Sequence, residues 1–378
     1  MLDFEVLRIL WWLLLGIVLI GFMVTDGFDF GAAILLPLVT KNDLERRAVL
    51  AAIGPFWEGN QVWIILGAGA IFAAWPFVYA VAFSGFYFLL LLLLLTMGIS
   101  RPVSFKYRSK LPNDGWRRFW DRIVVIGGLV PAFIFGALLG NALLGAPFYF
   151  DATLRMFYTG SFAQLFSPFA ILTGLLSICM LVTHGGLYLG LKTEDAIRNR
   201  ALNYARLTSL LVIILFLIGG YLVATQLPGY TVVSGADHFG FSNPLHKQVI
   251  MSQGAWLNNF RLYPSLLVVP TLAIGCALLV ALLAQWQTGL AFICNAVSMA
   301  GILGTAGISM FPFILPSSTD PRSSLLVWDA SSSQLTLMIM LVAALIFVPI
   351  ILLYTSWVYR VLRGTVELKK LEAEKNAY

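Results

Sequence analysis

Charge is scarce in this chain. Only 11 % of its 378 residues are Asp, Glu, Lys or Arg, against 60 % hydrophobic residues. An average soluble domain has ~25 % charged and ~45–50 % apolar residues. With a mean hydropathy of +0.88, water cannot be the main solvent, which excludes a soluble enzyme, a nucleic-acid binder and a disordered chain. Cysteine is equally sparse. Cys179, Cys276 and Cys294 lie in apolar runs and form no C-x-x-C pair, so neither a zinc site nor a disulfide framework is expected. No Walker-type loop, dinucleotide fingerprint, H-E-x-x-H or nucleophile elbow is present. The opening Met1-Leu2-Asp3-Phe4-Glu5 has no basic n-region. The apolar run behind it lacks a small-residue cleavage site, so it is expected to stay as a helix.

Long apolar runs are abundant instead. A spanning helix needs ~20 mostly apolar residues. Nine segments qualify, near 7–39, 49–72, 78–99, 121–145, 163–190, 207–226, 262–284, 290–312 and 335–359. The expected fold class is an all-α polytopic membrane protein forming a single integral membrane domain over 1–378. The first segment would extend about 50 Å at ~1.5 Å per residue, so it tilts or projects. Helices 1–4 and 5–8 can form two four-helix bundles with the ninth helix peripheral; one undivided bundle is the alternative. Residues 226–261 and 313–334 are long outer loops, with Trp256 and Trp328 expected at an interfacial belt. The tail 360–378 is expected in the cytoplasm, with a short solvated helix over 364–378.

Basic residues set the orientation. With the C-terminus inside, 19 of the 24 Lys and Arg residues fall in inner connections or the tail; Arg8, Arg155, Lys247, Arg261 and Arg322 fall outside. The net charge of +6 then reflects topology and anionic lipid rather than nucleic acid.

Ionisable residues inside a membrane are costly and for that reason are usually functional. Asp26 and Asp29 lie three apart on one face of the first helix, in its inner half. Glu58 lies about 17 Å of helical rise beyond Arg47, near the bilayer middle. No Lys or Arg is expected at comparable depth, and the three acids can converge. Such acids suit a proton path from the inside; hydrogen-bonded structural acids or a cation site are the other readings. Trp57-Glu58-Gly59-Asn60-Gln61-Val62-Trp63 is dense in polar and aromatic side chains. Asn60 and Gln61 suit a polar network, which can be purely structural. His184 is the one intramembrane histidine of three. It could ligate a haem, but a helix-packing role is the better reading. Pro131 and Pro349 sit inside apolar helices, Pro312 lies at the end of one, and Gly136 with Gly140 marks a close helix contact.

Several motifs carry the argument further. Trp11-Trp12 is followed by Thr25-Asp26-Gly27-Phe28-Asp29-Phe30-Gly31, then Asn42-Asp43-Leu44-Glu45-Arg46-Arg47 and Trp57-Glu58-Gly59-Asn60-Gln61-Val62-Trp63. Phe72-Ala73-Ala74-Trp75-Pro76, Arg101-Pro102, Gly254-Ala255-Trp256, Met310-Phe311-Pro312-Phe313 and Ser332-Ser333-Gln334-Leu335-Thr336 come later. In this order they closely resemble subunit II of the cytochrome bd quinol oxidases, over nearly the whole chain. The resemblance implies a complex that oxidises quinol at the outer face and reduces dioxygen to water in the bacterial inner membrane. It implies haem b and haem d in a partner subunit I, with no catalytic residue or metal ligand in this chain. By resemblance the acids at Asp26 and Glu58 belong to a proton route and Trp63 to the mouth of an oxygen route. The family carries Asp or Glu at position 58. A structural quinone and a small single-helix subunit are further partners that the resemblance allows. A stand-alone proton- or cation-coupled transporter is the competing class. The clustering of buried acids in helices 1 and 2, without counterparts in helices 5 and 6, weighs against it.

Overall fold

The computed structural model describes residues 2–367 and 371. Among these, eight helices are long and apolar enough to cross a membrane, or nine if one bent pair counts as a single span. The first span consists of α1 (Phe4–Thr25) and α2 (Gly27–Val39). It is followed by α3 (Asp43–Ile53), α4 (Trp57–Asn60), α5 (Val62–Ala74), α6 (Pro76–Gly85) and α7 (Tyr87–Leu93). A π-helical stretch, Leu94–Ser100, leads into α8 (Arg101–Tyr107). Next come α9 (Asp114–Leu144), α10 (Pro168–Lys192), α11 (Asp195–Thr225), the short α12 (Asn258–Leu262), α13 (Val268–Leu283), α14 (Thr288–Met310) and α15 (Gln334–Val361).

Helix ends follow local chemistry. Asn42 caps α3 by accepting from Glu45 N at 2.8 Å, while Glu45 Oε2 accepts from Lys41 N at 2.7 Å. Asn113 caps α9 by accepting from Gly115 N at 2.7 Å. Ser167 precedes Pro168 at the first position of α10 and accepts from Ala170 N at 3.2 Å.

The second and third expected segments are corrected. Residues 49–72 are not one helix: the chain leaves α3 at Gly54 and resumes only at Trp57 and again at Val62. Pro55 and Gly59 disfavour an unbroken helix there. Residues 78–99 are divided at Phe86, and α6 turns back on the Trp57–Ala74 stretch by 118° at Trp75-Pro76. Pro76 starts α6 at a first helical position and drives Trp75 out of helical geometry. Residues 364–367 are non-helical, and the remainder of the expected tail helix, apart from 371, lies outside the described residues.

Helix α10 is the central pillar and packs on α2, α9, α11 and α14. Its crossing with α2 is backbone to backbone. A Cβ on Gly31 would lie 1.8 Å from Leu181 O, and one on Gly185 would lie 2.3 Å from Ala32 N. The crossing with α9 uses Gly136 and Gly140, whose added Cβ atoms would meet Thr173 O at 2.1 Å and Thr173 Oγ1 at 2.2 Å, the small-residue contact expected from their spacing.

Three antiparallel hairpins gather on one face of the bundle, which we call the hairpin face. They are β1 (Phe148–Phe150) with β2 (Met156–Tyr158), β3 (Pro228–Ser234) with β4 (Gln248–Gln253), and β5 (Phe313–Leu315) with β6 (Leu325–Leu326). Ala146 N donates to Pro316 O at 2.9 Å and Ser318 N to Ala146 O at 3.0 Å, tying the first and third together. Trp256 and Trp328 are buried in this layer rather than standing in a lipid-facing belt. The Trp256 indole N–H donates to Leu143 O at 3.1 Å, and Trp328 stacks on His238 with centroids 4.4 Å apart. The opposite, basic face is laced by ion pairs. Arg108 bonds Asp121 at 2.5 Å and Asp43 at 2.7 Å, Arg117 bonds Asp43 at 2.8 Å, and Arg200 bonds Glu45 at 2.9 Å.

Candidate functional site

Asp26 sits at the junction of α1 and α2, where its N–H still donates to Phe22 O at 2.9 Å. Asp29 follows one turn later on the same face. Both carboxyls are fully buried. Against expectation, a cation stands at their depth. Arg101, also fully buried, places Nη2 3.0 Å from Asp26 Oδ1 and 3.7 Å from Asp29 Oδ2. Its guanidinium carbon lies 4.4 Å from the centroid of the Phe30 ring. The chain continues helically from the π-helical stretch into α8 and carries Arg101 into the core, where a sequence reading ends the span at 99 and leaves Arg101 in a connection.

Asn60 closes the cluster. Its Nδ2 donates to Asp29 Oδ2 at 2.8 Å and to Thr25 O at 2.9 Å, and its Oδ1 accepts from the Tyr359 hydroxyl at 2.9 Å. Residues from α2, α4, α8 and α15 thus meet at one point beside the α1–α2 junction. Two carboxyls face a single guanidinium. Asp26 Oδ2, Asp29 Oδ1, Arg101 Nε and Arg101 Nη1 are buried without a hydrogen-bond partner among the described residues. Unpaired buried polar atoms are uncommon because each forfeits its hydration. A proton on either free carboxyl oxygen would supply a missing donor and remove the surplus negative charge. The cluster therefore has the capacity to hold one proton.

Glu58 does not join this cluster, contrary to expectation. Its side chain is 64 % exposed and its Oε1 lies 3.5 Å from Nζ of Lys106, itself 69 % exposed. The break between Ile53 and Trp57 explains the difference, since counting an unbroken helix from Arg47 overstates the depth of Glu58. Gln61 is half-buried, its Nε2 only 3.5 Å from Met97 O. Trp63 is buried, and its ring lies 3.1 Å from where a Cβ on Gly21 would sit. Its indole N–H has no partner among the described residues.

A separate constellation surrounds His184. Nε2 is 2.9 Å from Val24 O and Nδ1 is 3.0 Å from Asn295 Nδ2, while the ring stacks on Phe292 at 4.4 Å. A carbonyl acceptor on one nitrogen and an amide donor on the other fit a neutral imidazole. With both ring nitrogens engaged, His184 does not fit a haem ligand. Tyr359, Asn295 and the place of Arg101 are the features that sequence reasoning missed. The only signal for Arg101 was its position directly after an apolar run.

Fold and site together define a class, a multi-pass helical membrane protein with a buried cluster of Asp26, Asp29 and Arg101. The chain is similar in structure to the bd oxidase from Geobacillus thermodenitrificans, with a TM-score of 0.68 over 94 % of this chain and 98 % of that one at 16 % identity; this likeness shows the fold. It is 46 % identical over 378 residues, all of both chains, to the probable cytochrome oxidase subunit 2 of Haemophilus influenzae. It is also 46 % identical to the cytochrome bd-I ubiquinol oxidase subunit 2 of Escherichia coli K12, over 98 % of each chain. Residues 7–362 match the family model for cytochrome bd terminal oxidase subunit II. The chain belongs to that family, as the motifs of its first hundred residues led us to expect, and not to a transporter class. It is one subunit of an oxidoreductase complex and implies a partner subunit I.

Proposed function

We propose that the complex containing this chain oxidises ubiquinol and reduces dioxygen to water in a bacterial inner membrane. In this reading haem b and haem d belong to subunit I, as the engaged nitrogens of His184 support. This chain stabilises subunit I and conducts protons toward it. The basic face is cytoplasmic and the N-terminus periplasmic, because the arginine-rich connections gather on the basic face. The observation that carries the proton route is the buried pair Asp26 and Asp29 facing one arginine, with one oxygen of each acid lacking a donor.

Oxygen reduction consumes a proton for every electron, and quinol releases its protons at the opposite face. Protons drawn from the cytoplasm therefore make the reaction electrogenic. Glu58, exposed beside Lys106 at the helical break, is the entry group. Asn60, two residues on, orients Asp29, and the Asp26–Asp29 pair holds the proton in transit. A carboxyl in such a place can both take up and release a proton. Gln61 turns to Met97 O instead of this cluster, and Trp63 stands at the oxygen route, packed on α1. A structural quinone, a small single-helix subunit and membrane lipid complete the set of partners. The apolar side chains that α15 leaves exposed, among them Leu345, Phe347, Leu353 and Trp357, are available to them and to subunit I.

The test uses the intact haem-loaded complex. Glu58→Gln and Asp26→Asn should each lower oxygen consumption and voltage generation in liposomes at normal haem content, while Glu58→Asp keeps most activity. Full turnover and full voltage in both neutral variants would sink the proton route.

A further inference from the structure

A cleft of about 440 Å³ opens between α2 and α9 at the basic face. Its walls are Leu36, Pro37, Val125 and Ile126, and its rim carries Arg46, Arg118, Arg122 and Asp121. The acid at the rim is already matched, since Asp121 accepts from Arg108 Nε at 2.5 Å and lies 3.4 Å from Arg46 Nη1. Arg118 donates only its Nε, to Asp114 O of its own helix at 3.2 Å. Arg122 makes no ion pair or hydrogen bond among the described residues. The rim therefore presents uncompensated positive charge above an apolar cavity.

Positions 118, 122, 125, 126 and 129 fall on one face of α9 by helical spacing. The arginines stand at the membrane-surface end of that face. Ile126 and Leu129, 43 % and 40 % exposed, continue it about 10 Å into the span at ~1.5 Å per residue. A cationic rim followed by an apolar track is the complement of an amphiphile with an anionic head. We propose that this cleft binds one anionic phospholipid, with its phosphodiester between Arg118 and Arg122 and an acyl chain along Val125, Ile126 and Leu129. Basic pockets between helices at a membrane surface recognise such headgroups. The proposal is independent of the proton route, since none of these side chains belongs to the Asp26–Asp29 cluster.

The experiment is native mass spectrometry of the haem-loaded complex titrated with phosphatidylglycerol or phosphatidylcholine after delipidation. The wild type should retain one phosphatidylglycerol. In Arg118→Gln/Arg122→Gln its affinity should fall about twenty-fold, with phosphatidylcholine binding unchanged. Arg122→Gln alone removes no internal bond and so guards against misfolding; it should give about a five-fold loss. Arg122→Lys should restore most binding. Equal retention by wild type and variants, or equal loss of both lipids, would overturn the proposal. Displacement of the lipid by millimolar inorganic phosphate would identify a phosphate site and overturn it too.

Discussion

Two polar clusters, one in the membrane core and one at the hairpin face, are built from the same kinds of residue and differ in how well they are satisfied. At the hairpin face, Lys247 Nζ bonds Asp329 Oδ2 and Pro244 O, each at 2.6 Å, and Asp329 Oδ1 accepts from Leu326 N at 2.9 Å. Buried Arg8 nearby donates Nε to Ser331 Oγ at 2.8 Å, Nη1 to His238 O at 2.7 Å and Nη2 to Gly240 O at 3.0 Å. None of these three side chains retains a buried polar atom without a partner. In the core cluster two acids share one arginine, and four polar atoms go unmatched among the described residues. A matched cluster has one protonation state that suits it and fixes structure. An unmatched cluster has room for a proton. The difference separates a latch from the cluster we propose as a relay, although both hold buried carboxylates.

The largest effect that would sharpen this contrast is loss of the core cation. Arg101→Met leaves two buried carboxyls without a counter-charge and should destabilise the subunit by ~3–5 kcal/mol, seen as lost yield and a lower thermal midpoint of the complex. Adding Asp26→Asn should recover part of that loss, because less negative charge is then stranded. At the hairpin face Asp329→Asn should also cost several kcal/mol, ~3–5 by the same reasoning. There Lys247→Met with Asp329→Leu should restore stability, and turnover should be unaffected throughout. Burial pushes the Lys247 ammonium below its ordinary range and the Asp329 carboxyl above its own, against their mutual attraction. The charged pair thus gives little net stability, which is why an apolar pair can replace it. Recovery of stability without recovery of turnover would show that the latch has a functional share and would break the comparison.

The smallest effect is a pH response at the rim of the hairpin face. Backbone N–H groups of Phe239 and Gly240 donate to Asp237 Oδ1 at 2.9 and 2.8 Å, and they hold its carboxyl below the usual range. A depressed carboxyl stabilises its turn above the ordinary aspartate pKa and loses that contribution as pH falls through the depressed one. Protection of the amides of residues 237–240, taken relative to their intrinsic exchange rates, should therefore fall only below about pH 4, while protection around Asp26 does not follow it.

Much of this architecture was legible in the sequence, and the reasons are physical. Apolar runs of spanning length announce themselves, as α9, α14 and α15 do, and an i, i+3 pair of acids must share a helix face, which placed Asp26 and Asp29 together. Asn60 entered the expected network because an amide in an apolar stretch needs partners. Glu58 is misplaced by any count of residues along an unbroken helix, because the helix is broken at 54–56 and again near Gln61. Arg101 escaped because a π-helical stretch and a continuing helix carry it inward, and hydropathy alone cannot tell a surface arginine from one turned into the core. Tyr359 joins Asn60 across 299 positions of sequence, a contact that only packing decides.

The central claim is that the Asp26–Asp29 pair carries one proton that the hairpin-face acid Asp329 does not. Infrared difference spectroscopy of the complex during turnover reads this directly through the C=O stretch of a protonated carboxyl. The account predicts a carboxylic band that disappears in Asp26→Asn or Asp29→Asn and persists in Asp329→Asn. A spectrum without a carboxylic band assignable to either core acid, or with one that vanishes only in Asp329→Asn, would contradict it.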